Sequence, residues 1–425
     1  MPLTEAGYRL RIADRVVSEA LQVFGAVSIE GPKYCGKTWT ALNHANSVVY
    51  IADPTGGFAN RERAQLDPSL VLDGAAPRLL DEWQDASGIW DAVRFAVDRS
   101  HEKGRFLLAG STMPPKRTRL HSGAGRIESV RMWTMTLAEM NNAKETVSLT
   151  SLMCGDDFPA INSDAALDTI IEHVVRGGWP EGQDIPLDLA MHIPRNYLQR
   201  LITDDMTSLD DISRDPSKVR ATLQSLARNN ATLVKTSTIL QDIDSQRESV
   251  SRDTINEYLS AFKRLYVLDE IPAWAPSVVS RKRMRQAPKR LLTDQSLAVA
   301  ALGLTPERLK NDLFTLGFMF EAMCLKDLAV YCAAIGAGLY HFDDGAGLDA
   351  DAILEMPDGS WAAVEIKLGH HQVDDAAKKL LRIKNKLEKA GAQPPTCLLA
   401  LVGLSGFAHR REDGVIEMPL DCLGV

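Results

Sequence analysis

The segment Gly31-Pro32-Lys33-Tyr34-Cys35-Gly36-Lys37-Thr38 constrains this chain more than any other. It fits the pattern G-x-x-x-x-G-K-S/T. The apolar run Ala26-Val27-Ser28-Ile29 before it predicts a buried strand, and Thr38-Trp39-Thr40-Ala41-Leu42 after it predicts the start of a helix. In a strand-loop-helix of this kind the glycines let the backbone wrap a phosphate with several N–H groups turned inward. Lys37 would then reach the β- and γ-phosphates, Thr38 would hold Mg2+, and the helix N-terminus would add partial positive charge. Glycine-rich turns also match such a pattern by chance, so the remainder of a nucleotide site must be sought downstream.

Two further strand ends supply it. Val48-Val49-Tyr50-Ile51 reads as a short strand, and then Leu79-Leu80 leads straight into Asp81-Glu82. In that Walker B arrangement Asp81 holds Mg2+ and Glu82 polarises the attacking water as general base. A helix is expected from about Ser87 to His101. Arg105-Phe106-Leu107-Leu108-Ala109-Gly110-Ser111-Thr112 follows as another strand ending in small polar residues. Ser111 or Thr112 could contact the γ-phosphate or position the water. Three such motifs in this order imply a twisted parallel sheet flanked by helices, with ATP at the strand C-termini.

Composition sets the outer bounds. A chain of 425 residues suggests two to four domains, and 45% hydrophobic with 24% charged residues suits a globular protein. A net charge of −8 argues against a nucleic-acid coat protein but leaves room for local basic patches. The six cysteines (Cys35, Cys154, Cys324, Cys332, Cys397, Cys422) form no C-x-x-C pair, which suggests free thiols. Glu5, Arg9, Arg11, Asp14 and Arg15 are incompatible with a secretory apolar stretch, and the run Cys397 to Val402 is too short to span a bilayer. A cytoplasmic protein without a membrane partner is expected.

The segments GPKYCGKT (31–38), LLDEWQ (79–84), LLAGST (107–112), GAGRIESVRMWTMTLAEM (123–140) and RGGWPEG (176–182) resemble, in that order, the bacterial and archaeal AAA-type ATP-binding proteins with a C-terminal domain of unknown function. The resemblance covers most of the chain. It implies ATP binding, hydrolysis and an unsettled cellular role. It also makes Arg126 a candidate arginine contact to phosphate, in cis or from a neighbouring subunit of an oligomer; the alternative is a surface salt bridge. Tyr34 and Cys35 depart from the residues usual in this loop, but they leave its backbone cradle intact.

From about Ala165 to Arg228 the pattern is helical, broken at Gly177-Gly178-Trp179-Pro180, and a helical lid over the nucleotide is expected. Two short helices, Thr236 to Ile243 and Thr254 to Leu265, precede a strand at Tyr266 to Ile271. Ile255, Tyr258, Leu259, Phe262 and Leu265 give the second helix its apolar face. Helix-turn-helix followed by a hairpin is a winged-helix plan. Its second helix turns a mixed face outward. The better candidate for DNA phosphate is Arg281, Lys282, Arg283 and Arg285, with Lys289 and Arg290 nearby, six cations in ten residues. Winged helices also bind proteins, so the partner is DNA or a protein.

At the C-terminal end, Asn311 to Cys332 reads as a helix that is apolar almost all round, with Glu321 inside it. A carboxylate there costs several kcal/mol unless a metal ion or a lysine meets it. Pro357-Asp358-Gly359 fits a three-residue hairpin loop that pairs Met356 with Ser360. Counting outward, Asp351 then faces Glu365, and Asp349 faces Lys367. One face collects Leu348, Ala350, Ala352, Leu354, Met356, Ala362, Val364, Ile366 and Leu368; the other gathers the charges. A two-residue Asp-Gly turn would shift the pairing by one and scatter the apolar set. Asp351 and Glu365-x-Lys367, with Glu321 on the preceding helix, resemble the PD-(D/E)-x-K site of restriction-endonuclease-like domains. The resemblance implies Mg2+ held by Glu321, Asp351 and Glu365, with Lys367 orienting water; the alternative is a structural Lys–Glu network. A basic helix at about Ala376 to Leu387 and a buried strand at Thr396 to Val402 follow. His370 and His371 read as a solvated cap.

The expectation is an α/β multidomain protein: a P-loop AAA-type parallel-sheet ATPase core (1–160), a helical lid (161–228), a winged helix (229–295) and a restriction-endonuclease-like α/β domain (296–425). Its nucleotide state would control C-terminal domains acting on DNA or a protein. An ATP-gated Mg-dependent nuclease and a nucleotide-binding module with little turnover are the alternatives.

Overall fold

The structure is a computed structural model that describes residues 2–112, 120–140, 146–210, 212–245, 249–277, 280, 283 and 286–425. The chain divides into two compact units. The first comprises Met1–Thr134, Asp204–Ser213 and Ser260–Val267; the second comprises Met135–Thr203, Arg214–Leu259 and Leu268–Val425. Among the described residues no helix is long and apolar enough to cross a membrane.

The first unit is built on strands β1 (Ala26–Glu30), β2 (Ser47–Tyr50), β3 (Arg78–Asp81), β4 (Phe106–Gly110) and β5 (Ile127–Arg131). They run parallel in the order β2-β3-β4-β1-β5. The extra strand β4 therefore separates the two strands that carry the Walker motifs. Alternation along the strands feeds two cores. Val27, Leu79 and Leu107 pack with Val17, Ala41 and Leu42 of the helices Ile12–Val23 and Lys37–His44. Ala26, Leu80 and Leu108 pack with Ile89, Trp90 and Val93 of the helix Gly88–Ser100. Covered on both faces, β4 is buried at every residue, which is why it reads as an unbroken apolar run.

In the second unit the chain forms β6 (Val147–Ser148), β7 (Ile161–Asn162), β8 (Leu268–Ile271), β9 (Lys289–Leu292), β10 (Gly338–Asp343), β11 (Asp349–Glu355), β12 (Trp361–Gly369), β13 (Cys397–Leu404), β14 (Phe407–Arg410), β15 (Ile416–Pro419) and β16 (Leu423–Gly424). Seven of these make a mixed sheet, β10-β11-β12-β13-β15-β14-β7. The helix Leu313–Ile335, strands β10 to β12, the helix Val373–Lys389 and β13 follow one another as α-β-β-β-α-β, with β12 and β13 parallel. The hairpin has the register that the apolar pattern selects. Ala352 pairs with Val364 and Leu354 with Ala362, and the Met356 N–H donates to the Ser360 carbonyl at 2.8 Å. The face opposite the all-apolar one is not given over to charge, however. Ile353, Trp361 and Ala363 occupy it, packed with Ala376, Leu380 and Ile383 of the helix Val373–Lys389. The β10–β11 pairing slips between Tyr340/Ile353 and Phe342/Ala350, so β11 bulges at Asp351 and Ala352.

Two expected boundaries fall elsewhere. The first unit's N-terminal stretch stops at Thr134 rather than residue 160, because β6 pairs with β16 and β7 with β14. The segment expected as a lid is divided: Asp204–Ser213 belongs to the first unit, while the helix Leu167–Arg176 packs on Gln295–Ala301 and Pro306–Asn311 in the second. Between them the chain forms helices Pro216–Arg228, Thr236–Ser245 and Arg252–Arg264, followed by the antiparallel pair β8–β9. An extra bridge joins Thr232 to Arg290.

Trp361 anchors the C-terminal core, with its ring centroid 5.0 Å from that of Trp274 and its Nε1 donating to the Gln393 carbonyl at 3.0 Å. Trp361→Ala is expected to destabilise the second unit by about 3–5 kcal/mol in urea unfolding followed by circular dichroism.

Candidate functional site

At the carboxyl edge of the first sheet, β1 ends at Glu30 and the chain turns sharply. Gly31 is required there for space: a Cβ on it would lie 2.2 Å from the Met132 carbonyl oxygen. Tyr34 (φ 62°) and Gly36 (φ 102°) take left-handed conformations that close the loop. Strain at a non-glycine residue such as Tyr34 is characteristic of ligand-binding turns. Arg11 braces the loop from outside, donating to the carbonyls of Cys35 (2.7 Å) and Trp133 (3.0 Å). Asp14 in turn accepts from the Arg11 N–H (2.7 Å), Tyr8 (2.6 Å) and Asn43 (3.0 Å), which ties the loop's brace to the helix that follows. Glu30 accepts from the Tyr266 hydroxyl at 2.7 Å, and the Lys33 ammonium pairs with Asp205 at 2.6 Å. Lys33 was expected in the phosphate cradle through its backbone, and its side chain is free of that role to pair with Asp205.

The expected nucleotide-site residues converge. Lys37 is buried and donates to the Pro32 carbonyl at 2.7 Å. Thr38 Oγ1 donates to Asp81 Oδ1 at 2.9 Å. Burial pushes the Asp81 carboxyl up to about 6; the Glu82 charge adds to this, while the Thr38 hydrogen bond and Lys37 oppose it. A hydroxyl and a carboxylate in contact beside a buried ammonium are the hard-oxygen donor set that suits Mg2+ next to phosphate, so these residues fit both groups. Glu82 leaves β3 in a left-handed conformation (φ 52°), with its carboxylate accepting from Ser111 Oγ at 3.3 Å and from Gln84. Ser111, of the two candidates, is thus the one brought to Glu82; Gln84 and Arg11 had not been singled out.

Arg126 is a correction. It immediately precedes β5, and Ile127 pairs with Ala26 at the start of β1, so Arg126 sits at the amino edge of the sheet. The strand's length, about 16 Å, separates it from the loop. Its Nε pairs with Asp98 at 2.7 Å. Contact with its own chain's nucleotide is excluded, and the salt-bridge alternative describes what this residue does within the chain.

In the second unit Glu321, Asp351, Glu365 and Lys367 gather into one cluster together with two lysines that sequence inspection missed there. Lys289 Nζ is 2.8 Å from Glu321 Oε1, 3.3 Å from the Asp351 carbonyl and 3.9 Å from Asp351 Oδ1. Asp351 Oδ2 accepts from the Ile366 N–H at 2.7 Å. Glu365 Oε1 receives Lys367 (2.7 Å) and Lys379 (2.9 Å), and Lys379 also reaches Asp349 at 3.1 Å. Burial, then the Asp351 charge, raises Glu365 to about 7 against the pull of Lys367 and Lys379. Its Oε2 is buried without a hydrogen-bond partner. Burial alone would lower Lys289, but the charges of Glu321 and Asp351 outweigh it and hold the ammonium above its ordinary value. A groove of 660 Å³ borders the cluster, lined among others by Phe314, Phe318, Glu321, Lys367, His370 and His371. Among the described residues no three His, Cys, Asp or Glu side chains are grouped to hold a metal ion. As arranged, the cluster does not fit Mg2+: ammonium groups stand where the cation would.

Lys379 flanks the apolar stripe Val373, Ala376, Leu380, Ile383 of its helix, and nothing in that spacing marks it as a cluster residue. Lys289 and Arg290 had been assigned to a basic surface patch with Arg283. Lys289 instead points inward, Arg290 pairs with Glu270 (3.0 Å), and Arg283 pairs with Glu355 (2.7 Å) and lies over Trp274. Arg281, Lys282 and Arg285 lie outside the described residues. His370 pairs with Glu417 at 2.6 Å.

Residues 24–141 match the AAA domain family. Residues 167–308 and 316–423 match two domains of unknown function, DUF8612 and DUF4143. Uncharacterized proteins of Mycobacterium bovis and Mycobacterium tuberculosis are each 23% identical over 340 residues, 79% of this chain and 69% of theirs. Similar solved structures include a Walker-type ATPase of Pyrococcus abyssi (13% identity, 71% of this chain and 97% of that one, TM-score 0.42). Another is the ORC1 protein of Aeropyrum pernix in complex with DNA (14%, 73% and 94%, TM-score 0.28). The stretch similar to the AAA domain family thus lies on the parallel sheet of order β2-β3-β4-β1-β5.

Because a methyl group at residue 31 would collide with backbone rather than a movable side chain, Gly31→Ala is expected to weaken ATP binding by about tenfold or more, a cost above about 1.4 kcal/mol, in a fluorescent-nucleotide titration.

Proposed function

We propose that this protein is an ATP-binding, Mg-dependent ATPase whose nucleotide state controls its C-terminal domains. The observation that carries the reading is the Thr38–Asp81 contact at 2.9 Å beside buried Lys37, with Glu82 held by Ser111 one step away. Mg2+ bound by Thr38 and Asp81 would neutralise and orient the phosphates. Lys37 would exchange its loop carbonyl for phosphate oxygen. Glu82 would take the proton of the attacking water, with Ser111 keeping its carboxylate in place.

The helix–bridge–helix–helix–hairpin order from Pro216 to Leu292 supports a winged-helix reading for that segment. Its partner would be DNA through Arg281, Lys282 and Arg285, or a protein. Arg283 is excluded from that surface by Glu355. The cytoplasm is the compartment this reading assumes.

A second reading is favoured by the α-β-β-β-α-β order and the placement of Asp351, Glu365 and Lys367 on adjacent strands: a restriction-endonuclease-like domain able to cleave DNA. Lys367 would orient water beside the scissile phosphate.

Wild-type protein is expected to release phosphate from ATP. Lys37→Ala should abolish binding and turnover, and Glu82→Gln should cut turnover by about 10²–10⁴-fold with ATP still bound. Turnover by Glu82→Gln at the wild-type rate would remove Glu82 as the base. For the second reading, nicking of supercoiled DNA with Mn2+ should disappear in Asp351→Asn and in Glu365→Gln; nicking that persists in both places the nuclease elsewhere.

A further inference from the structure

We propose that Lys289 occupies the divalent-cation position of the Glu321–Asp351–Glu365 cluster, so that this site takes up a metal ion only when the β8–β9 pair withdraws its lysine. The inference rests on the nuclease-like reading of the cluster and concerns how that site is kept closed.

Three observations lead to it. First, Lys289 is foreign to the sheet that carries Asp351 and Glu365. It opens β9, where it pairs with Ile271, and projects into the cluster from there. It is buried and bonded to Glu321 Oε1 and the Asp351 carbonyl. Second, the cluster carries one net negative charge as it stands: Asp349, Glu321, Asp351 and Glu365 face Lys289, Lys367 and Lys379. A dication added to that set would leave one uncompensated positive charge in a buried place, whereas removing Lys289 leaves two negative charges, which a dication matches, and frees the Glu321 oxygen. Third, Glu365 Oε2 is buried and unpartnered, an acceptor whose lone pairs no described donor meets. A buried carboxylate oxygen without a donor is an acceptor with a lone pair left for a cation. The same carboxylates can serve the ammonium or a metal ion, but not both.

The β8–β9 pair is tied to the preceding helices by the Thr232–Arg290 bridge and by the Leu292 N–H, which donates to Asn230 at 2.9 Å. Displacing that segment would move Lys289 with it. The proposed wing would thereby hold the switch of a site on a different sheet.

The test is Mn2+ binding to the full chain, read by the electron paramagnetic resonance signal of free Mn2+ and by the melting temperature. Lys289→Gln should bind Mn2+ about tenfold or more tightly than wild type and melt higher when Mn2+ is added. Lys289→Arg keeps the charge and should behave as wild type. Adding Asp351→Asn to Lys289→Gln should erase the gain, which separates this site from the one at Thr38 and Asp81. Should Lys289→Gln not fold alone, the Lys289→Gln/Glu321→Gln pair, neutral at both positions, should bind Mn2+ more tightly than Glu321→Gln. Unchanged Mn2+ affinity in folded Lys289→Gln, or in the double variant against its parent, overturns the proposal. Gained Mn2+ binding without DNA nicking would retire the nuclease reading and leave the lysine in its role. Nicking by wild type with Mn2+ affinity unaltered in Lys289→Gln would do the reverse.

Discussion

A carboxylate removed from water must be met by a donor or a cation, and that requirement shapes both units. Asp81 is answered by a threonine hydroxyl, Glu321 by Lys289, Glu365 by Lys367 and Lys379, and Asp351 by a backbone N–H. Asp327, in the helix Leu313–Ile335, meets Lys326 and the Leu137 N–H. Three of these answers come from distant parts of the chain: Thr38 to Asp81, Lys289 to Glu321 and the Leu137 N–H to Asp327. The acids therefore act as fasteners between elements as well as candidate ligands. Breaking one such pair leaves a buried charge, which is why each is strongly specified.

The same requirement separates what can be read from sequence from what cannot. The phosphate loop, the Asp81-Glu82 strand end and the β11–β12 register were legible because each depends on neighbours within a few residues. For the hairpin, a shift of one position would have turned Val364 and Leu354 to the wrong face. Glu321 was legible as a problem, a charge on an apolar helix, with a lysine among its two solutions. Which lysine was not legible, since Lys289 arrives from a separate strand pair. Which alternative Arg126 follows within the chain was not legible for a related reason: its position depends on β5 running parallel beside β1, a fact of sheet order. The strands β6 and β7, two residues each, have no periodicity to detect, so the domain boundary near them moved.

The nucleotide loop is held by more than its own signature. Arg11 grips two carbonyls beside it, and Asp14 organises Arg11, Tyr8 and Asn43 around that grip. None of these residues belongs to a recognised motif. Bracing of this kind holds the loop in one conformation, which lowers the cost of ordering it around any ligand.

Neither unit is a continuous stretch of chain. The pieces 204–213 and 260–267 each enter the first unit and leave it again, and each touches one flank of the phosphate loop, through Asp205 to Lys33 and through Tyr266 to Glu30. A protein cut after Thr134 would keep every nucleotide-binding signature and still lose both of these struts. The first unit's boundary in space is thus not a boundary along the chain: no single continuous fragment contains all of it without parts of the second unit.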